Sequence, residues 1–225
     1  MGGLGGRIRG VLFDMAGTTV EEAAAGSSAV EAAFLAAFAQ EGIDLDRAAL
    51  RRQRGMEKRA AIGRLAPSGA SGELVERVYG AFLQKLEAAV AGMRAKEGAE
   101  SLFGRLRAGG IAVGLGSGFP QATVDALVRR LGWNGRVDYV GSAEMIGAGR
   151  PDPAMVLDFM KACALDDPQT VLKVGDTAAD IAEGRNAGVV TAGVLGGAHG
   201  RAALGAAGAD YIVEDLAALG RLLPI

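Results

Sequence analysis

Short apolar runs recur along this sequence. They constrain the possible fold of the chain more than any other feature does. The six runs are Ile8–Phe13, Ile111–Leu115, Val137–Val140, Val171–Val174, Val189–Val194 and Tyr211–Val213. Between the later runs lie segments with helical spacing of apolar residues, at Gln121–Leu131, Ala154–Ala164 and Ala178–Ala187. Alternation of buried strands with helices is typical of a parallel sheet covered on both faces. We therefore predict an α/β fold.

A long segment without strand patterns follows the first run. From about residue 21 to residue 98 apolar residues recur only at helical spacing, most clearly over 74–90. We predict a sheet core formed by residues 1–19 and 99–225, with an inserted α-helical domain, the cap, over residues 20–98. Ligands of such sheets bind at the carboxyl ends of the strands, so the two chain crossings are expected to act as hinges that close the cap over that edge.

Composition excludes several classes of partner. The 225 residues are 50% hydrophobic and carry a formal charge of −2, with the basic residues scattered, so we expect no nucleic-acid partner. No apolar run reaches the ~20 residues that a membrane span needs. The single cysteine, Cys163, cannot form an internal disulfide and no leader pattern opens the sequence, so we expect a cytoplasmic protein. A monomer and a homodimer both remain open.

Asp14 ends the first apolar run and precedes the small-residue loop Met15–Thr19. Backbone N–H groups of such a loop can turn towards an anion, which would place a carboxylate beside a phosphate-sized nest. An isolated aspartate in this position more often caps a turn. The other acidic residues of the chain favour a functional role.

Two further carboxylates, Asp176 and Asp180, follow the run Val171–Val174 at the start of a helical segment, four residues apart and on one face. Since the carboxyl ends of parallel strands share one sheet edge, Asp14 should meet them there. Asp180 alone could satisfy a helix dipole. Three converging carboxylates, however, repel one another unless a hard cation lies among them, and oxygen ligands suit Mg²⁺. We therefore predict Mg²⁺ as the cofactor.

Four segments resemble, in order, the four motifs of the haloacid dehalogenase superfamily. They are Asp14-Met-Ala-Gly-Thr-Thr, Leu115-Gly-Ser-Gly, Gly149-Arg-Pro and Gly175-Asp-Thr-Ala-Ala-Asp. The match spans nearly the whole predicted sheet core. The resemblance implies a Rossmann-like core and a hydrolase that acts on a small phosphonate or phosphate ester.

The resemblance also implies a role for individual residues. Asp14 would be the nucleophile that becomes phosphorylated. The phosphoryl oxygens would be bound by Thr18, Ser117, Gly118 and Arg150. Mg²⁺ would be bound by Asp14, Ala16, Asp176 and Asp180, with Ala16 contributing through its backbone because its side chain has no donor.

More narrowly, the chain resembles the phosphonatase, or phosphonoacetaldehyde hydrolase, family and its phosphonatase-like sister group. The likeness rests on the first motif and on the segments Glu183–Gly188 and Gly193–Gly200. Ordinary superfamily phosphatases carry at the position of Ala16 an aspartate that protonates the departing alkoxide. General acid catalysis typically contributes ~10²–10⁴-fold, but a carbon leaving group can do without it when a protonated imine accepts the electrons of the C–P bond. Such an imine requires a lysine.

The resemblance assigns the Schiff-base lysine to Lys58, three residues after Gly55 in the predicted cap. The alternative interpretation is a solvated lysine on an exposed helix, beside Glu57 and Arg59. Both interpretations are open at the level of sequence.

Two positions depart from the phosphonatase pattern. That family carries a histidine one helical turn after the lysine and a tyrosine just after the second motif, where this chain has Ala61 and Phe119. The histidine and tyrosine side chains of that family are therefore absent from these two positions. The sole histidine, His199, follows a predicted strand and is a weak candidate for the site, since a loop histidine is more often structural.

Two other functions compete with C–P cleavage. The first is a phosphatase of small phosphate monoesters, similar to phosphoglycolate phosphatases, in which Lys58 binds the substrate only electrostatically. The second is a nucleotide-binding module based on Gly114-Leu-Gly-Ser-Gly118. Its third glycine comes one residue early for a dinucleotide fingerprint, and it leaves the three aspartates unexplained.

Overall fold

A computed structural model describes residue 4 and residues 7–21 and 28–223. Its main sheet has six strands, which all pair in parallel. They are β1 (Gly10–Asp14), β4 (Ala112–Ser117), β5 (Tyr139–Ser142), β6 (Val171–Gly175), β7 (Val190–Val194) and β8 (Tyr211–Val213). Their order in the sheet is β5-β4-β1-β6-β7-β8. Each strand overlaps one of the six apolar runs, so the predicted α/β sheet is confirmed.

Helices cover both faces of this sheet because alternate residues of its strands point to opposite sides. On β1, Val11 and Phe13 join one apolar cluster, whereas Leu12 joins another with Phe159. The helices of this part of the chain are α5 (Ala99–Ala108), α6 (Gln121–Arg130), α7 (Ala143–Ile146), α8 (Ala154–Ala162), α9 (Ala178–Asn186), α10 (Arg201–Ala206) and α11 (Leu216–Leu222), with a 3₁₀ turn at Pro168–Thr170. The three helices predicted from sequence are α6, α8 and α9.

Four helices occupy the described part of the predicted cap. They are α1 (Ala29–Gln40), α2 (Arg47–Arg52), α3 (Lys58–Leu65) and α4 (Gly72–Val90). Each helix is capped at its start by a side-chain oxygen that accepts a first-turn backbone N–H. The capping residues are, in order, Ser28, Asp46, Glu57 and Ser71. The helices α1 and α4 pack through Phe34 and Phe82, whose ring centroids are 4.5 Å apart. Both rings belong to the same apolar cluster as Val11 and Phe13 of β1, so the cap and the core share one apolar interior.

Two short strands join the chain crossings on either side of these helices. They are β2 (Val20–Glu21) and β3 (Arg94–Ala95), which pair antiparallel. The prediction that no strand occurs between residues 21 and 98 is wrong here, because two-residue strands are too short to show an alternating pattern. The Lys96 N–H extends the connection by donating to the Thr19 carbonyl at 2.8 Å. In the described part of the chain, no helix combines the length and apolar character needed to cross a bilayer.

Candidate active site

The three aspartates singled out in the sequence meet at the carboxyl edge of the sheet. Asp14 ends β1, Asp176 follows the neighbouring strand β6, and Asp180 lies in the first turn of α9. One carboxylate oxygen from each lies within 4.8 Å of the others, and all three side chains are buried. The parallel topology thus concentrates negative charge at a buried point of the sheet edge.

The donor set of this cluster fits a hard divalent cation such as Mg²⁺. The buried Asp180 Oδ1 lies 3.0 Å from Lys173 Nζ and 3.2 Å from Arg150 Nε, and neither contact has hydrogen-bond geometry, so this oxygen is held by charge alone. Asp176 is oriented by the Thr18 hydroxyl, which donates to Oδ1 at 3.1 Å, and by the Ala198 N–H, which donates to Oδ2 at 2.6 Å. Ala16 lines the same small cavity as Asp14. The ligands expected from the sequence are therefore close together.

The pKa values of the three carboxyl groups are shifted in different directions. Burial, together with repulsion from Asp14 and Asp180, raises the pKa of Asp176 to about 7. Burial also raises the pKa of Asp14, although Arg150 opposes this shift. Burial acts on Asp180 in the same direction, but Arg150 and Lys173 outweigh it and the pKa of Asp180 is lowered. A cation among these groups would favour the ionised form of all three.

Arg150 is the buried cation beside Asp14. Its Nη1 donates to Asp14 Oδ1 at 2.7 Å and to the Gly55 carbonyl at 3.2 Å, and its Nη2 donates to the Gly116 carbonyl at 2.9 Å. Burial disfavours the guanidinium charge, but the surrounding carboxylates Asp180, Asp14 and Glu183 raise the pKa of Arg150 well above its ordinary value. The side chain is therefore a fixed positive charge next to Asp14.

Lys173 and Glu183 extend this charge network below the site, and the sequence interpretation gave them no role. Glu183 Oε2 accepts from Arg150 Nε at 3.0 Å and lies 3.0 Å from Lys173 Nζ. Both side chains are buried. The available sequence pattern was a lysine inside an apolar strand and a glutamate three residues after Asp180, which together suggest a buried ion pair only after α9 is placed on β6.

The phosphoryl-binding residues implied by the resemblance surround the cluster. The Ser117 hydroxyl, at the end of β4, accepts the Phe119 N–H at 3.1 Å. Gly118 follows it, and a Cβ at this position would lie 2.6 Å from the Met56 carbonyl oxygen of the cap. Ser117, Gly118 and Arg150 line the cavity that Asp14 lines, whereas the Thr18 hydroxyl donates to Asp176.

Lys58 is the first residue of α3 and points into the core. Its side chain is buried at 7% exposure, its Nζ donates to the Met56 carbonyl at 3.0 Å, and it lies 5.3 Å from the centroid of the Phe119 ring. It lines the cavity that Asp14, Ser117 and Arg150 also line. The interpretation of Lys58 as a solvated surface lysine is therefore wrong.

His199 lies beside the cluster but makes contacts that hold the loop in place. Its Nδ1 accepts the Ala178 N–H at 2.9 Å, which places the proton of a neutral ring on Nε2, and Nε2 is 3.5 Å from the Arg51 carbonyl. Its backbone N–H donates to the Asp176 carbonyl at 3.1 Å. These contacts join the loop after β7 to α9 and to the cap.

Comparison with known proteins identifies the family. A family model described as haloacid dehalogenase-like hydrolase matches residues 8–188. The chain is a haloacid dehalogenase-like hydrolase. The match includes all four motifs and the cap, and it ends before β7 and the loop that carries Ala198 and His199.

Curated relatives of this haloacid dehalogenase-like hydrolase include phosphonoacetaldehyde hydrolases. One from Lactiplantibacillus plantarum is 29% identical over 96% of this chain and 95% of its own length. One from Bacteroides fragilis is 32% identical over 86% of this chain and 78% of its own length. A solved structure of a phosphonoacetaldehyde hydrolase like protein from Oleispira antarctica superimposes with a TM-score of 0.83, at 26% identity over 97% of this chain and 92% of that one.

Membership of a hydrolase family excludes the nucleotide-binding module. The glycines on which that interpretation rested have a packing role instead. A Cβ at Gly114 would lie 2.7 Å from the Phe159 ring, and a Cβ at Gly116 would lie 2.5 Å from Met155 Sδ. Both glycines lie within β4 and let α8 pack directly on the sheet.

Proposed function

We propose that this protein is a Mg²⁺-dependent, phosphonatase-like hydrolase that cleaves the C–P bond of phosphonoacetaldehyde or a related phosphonate. The observation that carries the proposal is the placement of the cap lysine Lys58 in the same cavity as Asp14. The absence of an acidic side chain at Ala16 supports it, because a carbon leaving group needs no such acid.

Asp14, Asp176, Asp180 and the backbone carbonyl of Ala16 would bind the Mg²⁺. When bound, the ion supplies positive charge against the phosphoryl oxygens and the carboxylates. Arg150 adds a second positive charge and fixes one oxygen of the nucleophile, since its Nη1 holds Asp14 Oδ1 at 2.7 Å. Oδ2 is then the oxygen left for attack.

The reaction begins at Lys58. Its neutral amine adds to the aldehyde carbon, and loss of water gives a protonated imine. Asp14 then attacks phosphorus, and the electron pair of the breaking C–P bond moves into the imine to give a neutral enamine. Asp14 now carries the phosphoryl group as an acyl phosphate.

Two hydrolyses return the enzyme to its starting state. Water cleaves the acyl phosphate, which releases phosphate and restores the Asp14 carboxylate. The enamine is protonated on carbon, and water hydrolyses the resulting imine to release the aldehyde and Lys58. The balance is one water consumed for each phosphonate.

A second candidate is a phosphatase of small phosphate monoesters, similar to phosphoglycolate phosphatases. The contacts of Lys58 favour it, because a carbonyl oxygen at 3.0 Å and an aromatic face both stabilise an ammonium ion. Free lysine has a pKa of about 10.4, so the amine needs desolvation or nearby cations to become a nucleophile. In this second function Lys58 would remain charged and bind substrate.

Trapping with borohydride distinguishes the two functions. With Mg²⁺ and phosphonoacetaldehyde present, borohydride should reduce the imine, inactivate the enzyme and leave the aldehyde carbon skeleton on Lys58, as read by peptide mass spectrometry. Lys58→Arg should abolish both the adduct and the release of phosphate, whereas Lys161→Arg, on the exposed side of α8, should change neither. Phosphate release from phosphonoacetaldehyde without any adduct would refute the imine step. Faster turnover of sugar and glycolytic phosphates than of phosphonoacetaldehyde would establish the phosphatase instead.

A further inference from the structure

Four charged atoms below the candidate site form a closed ring of alternating sign. Arg150 Nε lies 3.0 Å from Glu183 Oε2 and 3.2 Å from Asp180 Oδ1. Lys173 Nζ lies 3.0 Å from each of the same two oxygens. Every side chain in this charge ring is at most 2% exposed, so no water screens the contacts.

The ring is built by the direct packing of α9 on β6. Asp180 and Glu183 are three residues apart on α9 and face the sheet together. A Cβ at Gly184 would lie 2.9 Å from Lys173 Cβ and 2.6 Å from Thr191 Cγ2, so only glycine lets the helix approach this closely. The position of Glu183 relative to Lys173 is therefore set by the backbone.

Charge balance alone does not explain why Lys173 and Glu183 are buried below the site. Lys173 and Glu183 carry opposite formal charges, so together they leave the net charge of the aspartate cluster unchanged. Burying them costs desolvation free energy, and apolar replacements of buried ion pairs are often as stable. A role in orienting the neighbouring Arg150 explains the burial of Lys173 and Glu183, which neither net charge nor stability explains.

We propose that Glu183, held in place by Lys173, is a positioning residue for Arg150 in the phosphoryl site. Glu183 Oε2 accepts from the Nε edge of the guanidinium, and because the group is planar this fixes the direction of the two remaining nitrogens. Nη2 is then held at the Gly116 carbonyl and Nη1 at Asp14 Oδ1. The inference rests on the proposed function only in taking Arg150 as a ligand of the phosphoryl group.

Two substitutions of one residue separate orientation from charge. Glu183→Gln and Glu183→Met remove the same negative charge at similar volume, but only glutamine retains an oxygen that can accept from Arg150 Nε. Binding of inorganic phosphate, measured by calorimetry in the presence of Mg²⁺, is the readout. We expect Glu183→Met to bind phosphate at least about 10-fold more weakly than Glu183→Gln, with a dissociation constant also above that of the wild type. A pure charge effect has the opposite sign, since loss of an anion near the site strengthens phosphate binding.

The double substitution Lys173→Met with Glu183→Met provides a second test, which also applies if the single methionine variant does not fold. It conserves the formal charge and replaces the buried pair by apolar groups, so the protein should fold. We expect phosphate binding at saturating Mg²⁺ to weaken by about 10-fold or more. The Mg²⁺ dissociation constant is measured separately, because Lys173 Nζ also lies 3.0 Å from Asp180 Oδ1. Replacing the exposed pair Arg201 and Glu214 in the same way is the matched control and should change neither constant.

The outcomes separate this inference from the proposed function. Equal phosphate binding by the two Glu183 variants, or wild-type binding by the double variant, would refute the positioning role while leaving C–P cleavage intact. Failure of the wild-type enzyme to bind phosphate with Mg²⁺ would refute the phosphoryl site itself and the positioning role with it. If no borohydride adduct forms while phosphate still binds, only the Schiff-base step of the proposed function is refuted.

Discussion

Asp14 is buried, is bound to Arg150 and has a raised pKa. It lies at the end of β1 with Oδ1 bound to Arg150 Nη1 at 2.7 Å, and burial raises its pKa. A carboxylate that is costly to keep ionised in the fold is suited to attack an electrophile, since the attack removes its charge. The same burial implies that a neutral amide should be accepted at this position.

Asp14→Asn should therefore abolish turnover without destabilising the fold. We expect phosphate release from the true substrate to fall by at least about 10³-fold, because the nucleophile is lost. The melting temperature should stay the same or rise, since the variant removes a desolvated charge. Asp125→Asn, on the exposed side of α6, is the control for activity and stability. A folded Asp14→Asn enzyme with substantial phosphate release would exclude Asp14 as the nucleophile.

Asp176 makes the stability of the metal-free protein depend on pH. Its folded pKa of about 7 lies above the ordinary value of 3.8, so the fold favours the protonated group and loses stability as the pH rises from about 4 through 7. Mg²⁺ binds the ionised form and offsets this loss. Thermal melts should show a larger stabilisation by Mg²⁺ at pH 8 than at pH 6, and Asp176→Asn should remove most of the difference between the two pH values. If Mg²⁺ raises the melting temperature of the wild type equally at pH 6 and pH 8, Mg²⁺ binding is not coupled to the ionisation of Asp176.

At the scale of elements, the sequence predicts the sheet better than it predicts the contacts between elements. The short apolar runs overlap all six parallel strands, and parallel topology brings Asp14, Asp176 and Asp180 to one edge. The strands β2 and β3 escape notice because each has only two residues. Periodicity within one segment carries no information about them.

The charge ring shows why part of the site could not be predicted. Lys173 looks like a charged interruption of an apolar strand, and Glu183 like an ordinary helix residue. Their partnership depends on how closely α9 packs on β6, which Gly184 permits. The burial of Lys58 has a similar origin, because it follows from the way the start of α3 rests on the core and not from the helix itself.

At the scale of the whole molecule, the cap is closed over the sheet edge. The cavity between them has a volume of ≈ 10 Å³, about enough for one water molecule and too small for a phosphonate. Two backbone carbonyls of the cap meet the core, Gly55 at 3.2 Å from Arg150 Nη1 and Arg51 at 3.5 Å from His199 Nε2. Substrate entry therefore requires the cap to open, and the paired crossings β2 and β3 are the natural place for the movement.

Gly118→Ala should obstruct the closure of the cap. A Cβ at this position would lie 2.6 Å from the Met56 carbonyl oxygen, and a backbone atom cannot yield as a flexible side chain can. Alanine keeps the backbone N–H of residue 118, so a contact of that group with phosphate is not removed. We expect kcat/KM to fall by about 10–100-fold, because the cap would stop short of the position that brings Lys58 to the substrate.

The control for this prediction comes from the cap itself. A Cβ at Gly63, on α3, meets nothing within 4 Å, so Gly63→Ala should retain wild-type kcat/KM with an equal or slightly higher melting temperature. Gly118→Ala removes none of the buried apolar side chains that the core and the cap share, so its melting temperature should fall little while activity falls. Borohydride trapping then identifies the step affected, since incomplete closure should reduce the yield of the Lys58 adduct. Wild-type kcat/KM in Gly118→Ala would mean that turnover does not require the closed arrangement.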